Sequence, residues 1–208
     1  MANDNTIGKL VEIFSRLPGV GPKQAKRFVY HLLAQSQGSL DHLARLVSEL
    51  KHNIHQCERC TRFFTASEKT SALCDLCGNQ TRDNGTLMIV EKDIDLNNIN
   101  QLEVYNGQYA VLGNLIPILE PAPEQRIRQR ALLNNIDFRV KNHQLKEIII
   151  AISATREGDN TVDYLKKLCR PYEEKGVKIS ILGRGLSSGT EIEYTDFDTI
   201  KNALINRH

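Results

Sequence analysis

The sequence predicts a multidomain α+β and α/β chain: a helical module first, then a small metal-held element, then an α/β domain ending in a strand and a helix. Three observations predict it. Residues 7–54 carry apolar side chains at helical spacing, residues 57–77 hold four cysteines with few aliphatics, and from Thr86 onward strand-like runs alternate with helical ones. The 208 residues allow one large domain or two small ones at roughly 100–200 residues each. The boundaries read 1–55, 56–80, 81–176 and 177–208, the last a strand–helix segment that closes the sheet.

The helical module is justified by two amphipathic runs and a turn. Ile7, Leu10, Val11, Phe14 and Leu17 share one helical face, and Ala25, Phe28, Val29, Leu32 and Leu33 share another. Pro18-Gly19-Val20-Gly21-Pro22 between them is a sharp turn, with Pro22 suited to the first helical position. A third run follows Ser39, through Leu40, Leu43, Leu46, Val47, Leu50 and Ile54. The pair of helices around Leu17-Pro-Gly-Val-Gly-Pro-Lys23 has the form of a helix-hairpin-helix. Gly19 and Gly21 let the backbone approach a phosphate closely, and the amides opening the second helix point outwards at its positive dipole end. Lys23, Lys26 and Arg27 follow within two turns, placed to contact neighbouring phosphates without reading sequence. PGVG alone is only a tight turn; the flanking helices and the three cations make it a nucleic-acid backbone site.

The cysteine element reads Cys57-x2-Cys60-x13-Cys74-x2-Cys77. Two knuckles of this kind put four thiolates around one Zn2+, a closed structural site with no open position for chemistry. The element lacks the apolar residues for a core of its own, so metal must hold it. A redox pair or an iron–sulfur cluster is the alternative. His52 and His55 precede the first cysteine and are expected at the surface, since four cysteines complete the shell. The fifth cysteine, Cys169, stands on an apolar helical face and is read as a small buried hydrophobe.

The α/β domain begins with TLMIVE, continues through a polar segment with Ile94, Leu96, Ile99 and Leu102, and returns as YAVLG. NLIPILEPAPEQR reads as a loop, 126–136 as a helical segment, EIIIAIS as a buried strand, Asn160 to Lys175 as a helix and VKISILG as a strand. This alternation predicts a parallel or mixed sheet with helices on both faces. The tail adds EIEY and the helix DFDTIKNALINR. Glu91 closes the strand LMIVE, and Glu157 and Asp159 follow EIIIAIS, so all three belong to the carboxyl ends of strands, where ligand crevices form. Convergence there would let them hold Mg2+; the alternative is three solvated acids. Arg126, Arg128 and Arg130 read as a solvated run.

Charge and composition narrow the class further. The 27 Lys and Arg against 25 Asp and Glu give a formal charge of +2, which predicts no partner by itself. Up to Gln80 there are 10 basic and 7 acidic residues, and after it 17 and 18, so the modest basic excess is amino-terminal. The start, MANDNTIGKL, has no apolar leader, and the longest apolar run, Ile148 to Ile152, is far below the ~18 residues needed to span a bilayer. An odd cysteine count argues against a secreted disulfide framework. The expected setting is cytoplasmic.

The order of these motifs resembles the RecR recombination-mediator family across nearly the whole chain. The matching segments are RLPGVGPKQAKRFVYHLL, the two CxxC knuckles, LMIVE, the Glu157-Gly-Asp159 segment followed by Thr161, and EIEYTD. The resemblance implies that the α/β part is a Toprim domain and that the protein binds single- and double-stranded DNA without sequence preference. It also implies a homo-oligomeric clamp, a dimer or a tetrameric ring, working with a RecO partner and in some lineages RecF to load recombinase at single-strand gaps. By the same resemblance Lys23 and Arg27 are DNA-contacting cations, Cys57, Cys60, Cys74 and Cys77 are zinc ligands, and Glu91, Glu157 and Asp159 are Toprim acids forming a partner surface without catalysis. A Toprim-type Mg-dependent nuclease is the rival reading, weakened by the lack of a further carboxylate cluster for a second metal. An interaction scaffold joined by its zinc element is a third. The sequence departs from the family in a longer spacer between knuckles, in the loop after Gly113, and in Arg184-Gly-Leu-Ser-Ser-Gly189, within the 177–208 segment tied to protomer contacts.

Overall fold

A computed structural model describes residues 5–65, 72–142 and 144–183. The expected strand EIEY, the last helix and the segment 184–189 lie outside the described residues. The chain divides into two compact units, Met1–Asn53 and Ile54–His208.

The first unit is helical. α1 (Thr6–Ser15) opens on Asn5, whose side-chain oxygen accepts from the Gly8 amide at 2.9 Å. α2 (Pro22–Leu33) starts with Pro22 at its first position, after Gly21 in an extended conformation. Gly19 between them has φ +75, a left-handed conformation that glycine adopts without steric cost. The two helices meet through Phe14 and Phe28, edge to face at 6.2 Å, around the buried Ala25 and Val29. α3 (Gln37–Asn53) completes the unit.

The second unit contains both the cysteines and the α/β domain. β1 (Ile54–Gln56) and β2 (Phe63–Thr65) form an antiparallel pair, and the short α4 (Asp75–Gly78) carries the second knuckle. A four-stranded sheet of order β4-β3-β5-β6 follows, its pairings all parallel: β3 (Thr86–Val90), β4 (Gln108–Val111), β5 (Glu147–Ala151) and β6 (Lys178–Ile181). The connecting helices are α5 (Asp93–Gln101), α6 (Pro123–Arg126), α7 (Gln129–Lys141) and α8 (Arg156–Glu173).

Period-2 alternation sends successive strand residues to opposite faces. Leu87, Ile89, Ile148 and Ile150 pack with Leu132 and Ile136 of α7 and Leu165 and Cys169 of α8. Met88, Val90, Tyr109 and Val111 pack with Leu96 of α5 and with the four cysteines. Helices cover both faces, as expected, and on the second face α5 is joined by the knuckles. The cysteine element borrows the core of the sheet that it covers.

Three boundaries also differ from the sequence reading. α8 starts at Arg156, because Thr155 caps it by accepting from the Gly158 amide at 3.0 Å. A Cβ on Gly158 would meet the Ser153 carbonyl oxygen at 1.9 Å, so only glycine permits this close helix entry. α7 runs to Lys141, beyond the expected 126–136 segment. Pro123 opens α6 inside the stretch read as loop.

Candidate functional site

The four cysteines gather at the junction of two turns and the sheet edge. The Thr61 amide donates to the Cys57 carbonyl and the Cys57 amide to the Arg62 carbonyl, each at 2.9 Å, closing the first knuckle. Thr61 adopts φ +63, a strained conformation for a β-branched residue, and its hydroxyl donates to the Val111 carbonyl at 2.6 Å. The Val111 amide donates to the Cys60 carbonyl at 2.9 Å, so the knuckle occupies the outer edge of β4. The Gly78 amide closes the second knuckle on the Cys74 carbonyl at 2.9 Å.

Cys57, Cys60, Cys74 and Cys77 are all buried, and their sulfurs lie within 4.8 Å of one another. A tetrahedral ion with Zn–S near ~2.3 Å requires sulfurs about 3.8 Å apart; Cys60 and Cys74 are 3.6 Å apart. The residues fit a metal such as zinc. Their protonation points the same way: hydrogen bonding, first with Cys60 and then with Cys74 and Cys77, drives the Cys57 thiol far below its usual range. Cys60 is driven far above it, first by Cys57. Four thiols this close cannot all ionise without a cation between them, and a divalent ion relieves that conflict.

The acidic residues are placed but not gathered. Glu91 follows β3, while Glu157 and Asp159 lie in the first turn of α8 after β5, all at the carboxyl edge of neighbouring strands. Among the described residues the cysteines form the one group of three or more Cys, His, Asp or Glu close enough to share an ion. The Glu91 side chain is 8% exposed and its Oε1 lies 2.6 Å from Lys92 Nζ. This carboxylate raises the Lys92 pKa above its ordinary value. The Glu91 carbonyl accepts from the Gly113 amide at 2.8 Å, where φ is +92.

The hairpin cations Lys23, Lys26 and Arg27 are all exposed on the first two turns of α2, and none forms an ion pair among the described residues. Cys169 is fully buried, and burial pushes its thiol up to about 12. His52 is exposed, whereas His55 tilts against Phe64 at 6.4 Å and is half-buried.

Two arginines escaped the sequence reading. Arg128, read as solvated, donates Nη1 to the Thr61 carbonyl at 2.8 Å and lies 5.3 Å over the Phe63 ring, joining the loop after β4 to the knuckle. Arg139 is fully buried on α7. Its available signal was a polar pair, Asn135 and Arg139, one turn apart on the stripe that carries Leu132 and Ile136. Among the described residues no helix is long and apolar enough to cross a membrane.

Known families match the helical and the α/β parts of the chain. A family model described as RecR, helix-hairpin-helix, matches residues 7–51, and one described as a Toprim domain matches 85–183. Proteins called recombination protein RecR align along nearly the whole chain. The protein from Lactobacillus helveticus is 33% identical over 201 residues, 97% of this chain and 96% of its own. That from Phocaeicola vulgatus is 35% identical over 199 residues, 96% and 91%. That from Bifidobacterium longum is 33% identical over 207 residues, 100% and 98%. With a helix-hairpin-helix model and a Toprim model matched and relatives about a third identical over nearly the whole length, the chain belongs to the RecR family of recombination proteins.

Proposed function

We propose that this chain is a DNA-binding recombination and repair mediator that acts without catalysis. The observation that carries this is the hairpin: Gly19 and Gly21 at the bend, then Lys23, Lys26 and Arg27 exposed and unpaired among the described residues at the start of α2. Backbone amides and cations there suit phosphates of either single- or double-stranded DNA, contacts that carry no sequence information. Cys57, Cys60, Cys74 and Cys77 hold one structural Zn2+, which fixes the knuckles over β4 and leaves no open coordination position. The exposed Glu157 and Asp159, with Glu91 buried beneath its Lys92 partner, form the acidic site for a RecO-like partner, with a RecF-like protein as a second one, and protomers assemble into a clamp that supports recombinase loading at gaps. Two features favour a partner surface over a nuclease centre: Lys92 sits on the Glu91 carboxylate at 2.6 Å, and the three acids are not drawn into one ion site. The helical module, the cysteine element, the Toprim domain and the 177–208 segment keep the boundaries given above.

The test is band retardation of labelled gapped DNA with Mg2+ or Mn2+ present, for the native chain and for Lys23→Ala with Arg27→Ala. The native chain should retard intact DNA. The double variant should bind more weakly on every sequence, and its dependence of log affinity on log salt should flatten by about 2, one unit for each lost phosphate contact. Equal binding by both would remove the hairpin from DNA recognition, and cleavage abolished by Glu91→Gln would make the protein an enzyme.

A further inference from the structure

Arg139 is the bulkiest fully buried side chain among the described residues, at 1% exposure. Its Nε donates to Asn135 Oδ1 at 2.9 Å and its Nη1 to Asn84 Oδ1 at 3.1 Å, both neutral acceptors. Its Nη2 has no hydrogen-bond partner, and neither has Asn135 Nδ2 on a residue that is 2% exposed. No carboxylate pairs with Arg139 among the described residues. A guanidinium keeps its proton, so this is a buried positive charge with no conventional counter-ion, an arrangement that needs compensation.

The knuckles lie against the same stretch of α7. Arg59, between Cys57 and Cys60, donates Nη1 to the Cys77 carbonyl at 3.3 Å and lies 4.7 Å over the ring of Phe138, the residue before Arg139. A cavity of about 210 Å³ lies between Glu58, Arg59 and Leu73 on the knuckle side and Asn134, Asn135 and Phe138 on α7, so that the cysteine element sits directly on this part of the helix. Burial has the largest effect on Arg139 and depresses its pKa; the leading opposing influence is Cys77, with Tyr105 and Cys60 contributing in the same direction.

We infer that Arg139 is the counter-charge of the metal centre: its guanidinium, oriented by Asn135 and Asn84, offsets the net negative charge of the four-thiolate site beside it. This rests on the zinc reading of the four cysteines. A divalent ion with four thiolates carries a net charge of about −2, which in a dry setting requires cations and N–H donors around it. The Cys74 amide supplies one donor, to Cys57 Sγ at 3.4 Å. Arg139 supplies full charge, and Arg59 adds a second one at the rim. Arg139 is a positioning residue for the centre and not a ligand.

The test is zinc affinity by chelator competition on the full chain, comparing Arg139→Gln, Arg139→Lys and Leu165→Ala with the native protein. Leu165→Ala weakens the core on the sheet face away from the cysteines, a cluster that Leu132 and Ile136 of α7 also join. Arg139→Gln should lose affinity about 10- to 100-fold, and Arg139→Lys should recover most of it. Leu165→Ala should lower the melting temperature and leave zinc affinity near native. With Co2+ in place of zinc, the thiolate-to-metal charge-transfer band should shift in Arg139→Gln and stay put in Leu165→Ala. If Arg139→Gln does not fold, Arg59→Gln reads the same effect at the rim, as a smaller but measurable loss. Native affinity in Arg139→Gln, or in Arg59→Gln where that variant must stand in, overturns the inference, as does a loss in Arg139→Lys equal to that in Arg139→Gln. A native chain that binds no zinc overturns the zinc reading beneath it as well, a result distinct from native binding that ignores Arg139.

Discussion

The two compact units use their apolar residues in opposite ways. In the helical unit only Ala25 and Val29 are buried among the described residues, and α3 leaves Leu43, Leu46, Val47 and Leu50 between 44% and 58% exposed. In the second unit both faces of one small sheet are covered, by α7 and α8 on one side and by α5 and the knuckles on the other. The contrast separates a part whose stability comes from its own core from a part that leaves most of its apolar side chains uncovered. An apolar stripe at i, i+3, i+4 and i+7 spacing on α3 is larger than scattered surface leucines require, and it suits the proposed assembly.

The sharpest way to break that contrast is to remove the metal. With Cys60→Ser and Cys77→Ser together, zinc content should fall from one equivalent to near zero, and the knuckles should detach from β4. Structural zinc sites contribute on the order of 10 kcal/mol to small domains that lack another core; here part of the second face survives through Leu96, Met88 and Val90, so a smaller net loss of several kcal/mol is expected. Metal analysis and thermal melting measure it, and a chelator should reproduce the melting shift on the native chain. An unchanged melting temperature after zinc removal would show that the knuckles stand without metal.

Core truncation comes next in size. Leu165→Ala, at a fully buried position, should cost about 2–5 kcal/mol by chemical denaturation. Leu46→Ala, at a position 49% exposed, should stay within about 0.5 kcal/mol for an isolated protomer. Leu46→Asp should leave the fold intact and lower the solution mass if α3 joins protomers. Equal costs for the two alanine variants would mean that α3 is already covered in the free protein.

What was readable from the residues divides along the same line. The hairpin and the knuckles are local: Pro18 to Pro22 and the two CxxC pairs place their chemistry within a few residues, so spacing alone reveals them. The sheet was readable because a buried parallel strand is a nearly continuous apolar run, as in Glu147–Ala151. The start of α8 was not, because Glu157-Gly-Asp159 has loop-like composition; the cap at Thr155, three residues before Gly158, was the overlooked sign. Arg128 and Arg139 were unreadable for a different reason. Each is made structural by a residue far away in sequence, Thr61 for one and Asn84 for the other; the polar pair on the apolar stripe of α7 sets Arg139 apart, but no local pattern marks a long-range partner.

The smallest expected effect compares one ion pair from each unit. On β5, Glu147 accepts from Ser180 Oγ at 2.7 Å and lies 3.0 Å from Lys178 Nζ, joining β5 to β6. The Ser180 hydrogen bond, followed by Lys178, holds the Glu147 carboxyl below its usual pKa. A depressed acid stabilises the fold above the unfolded-state value of about 4.3 and loses that contribution as pH falls through its lower folded value. Lys178 is largely solvent-exposed, so screening limits the contribution to about 0.5–1 kcal/mol, or roughly 1–4 °C in melting temperature for a chain of this size. Glu147→Gln should therefore melt below the native protein at pH 7, and by less at pH 3. Glu12 on α1 and Arg16 at its C-cap also pair, but both side chains are mostly exposed, so Glu12→Gln should leave the melting profile unchanged at both values. A Glu147→Gln deficit that persists undiminished at low pH would assign the effect to strand packing, and a Glu12→Gln deficit at pH 7 would show that surface charge contributes to the helical unit.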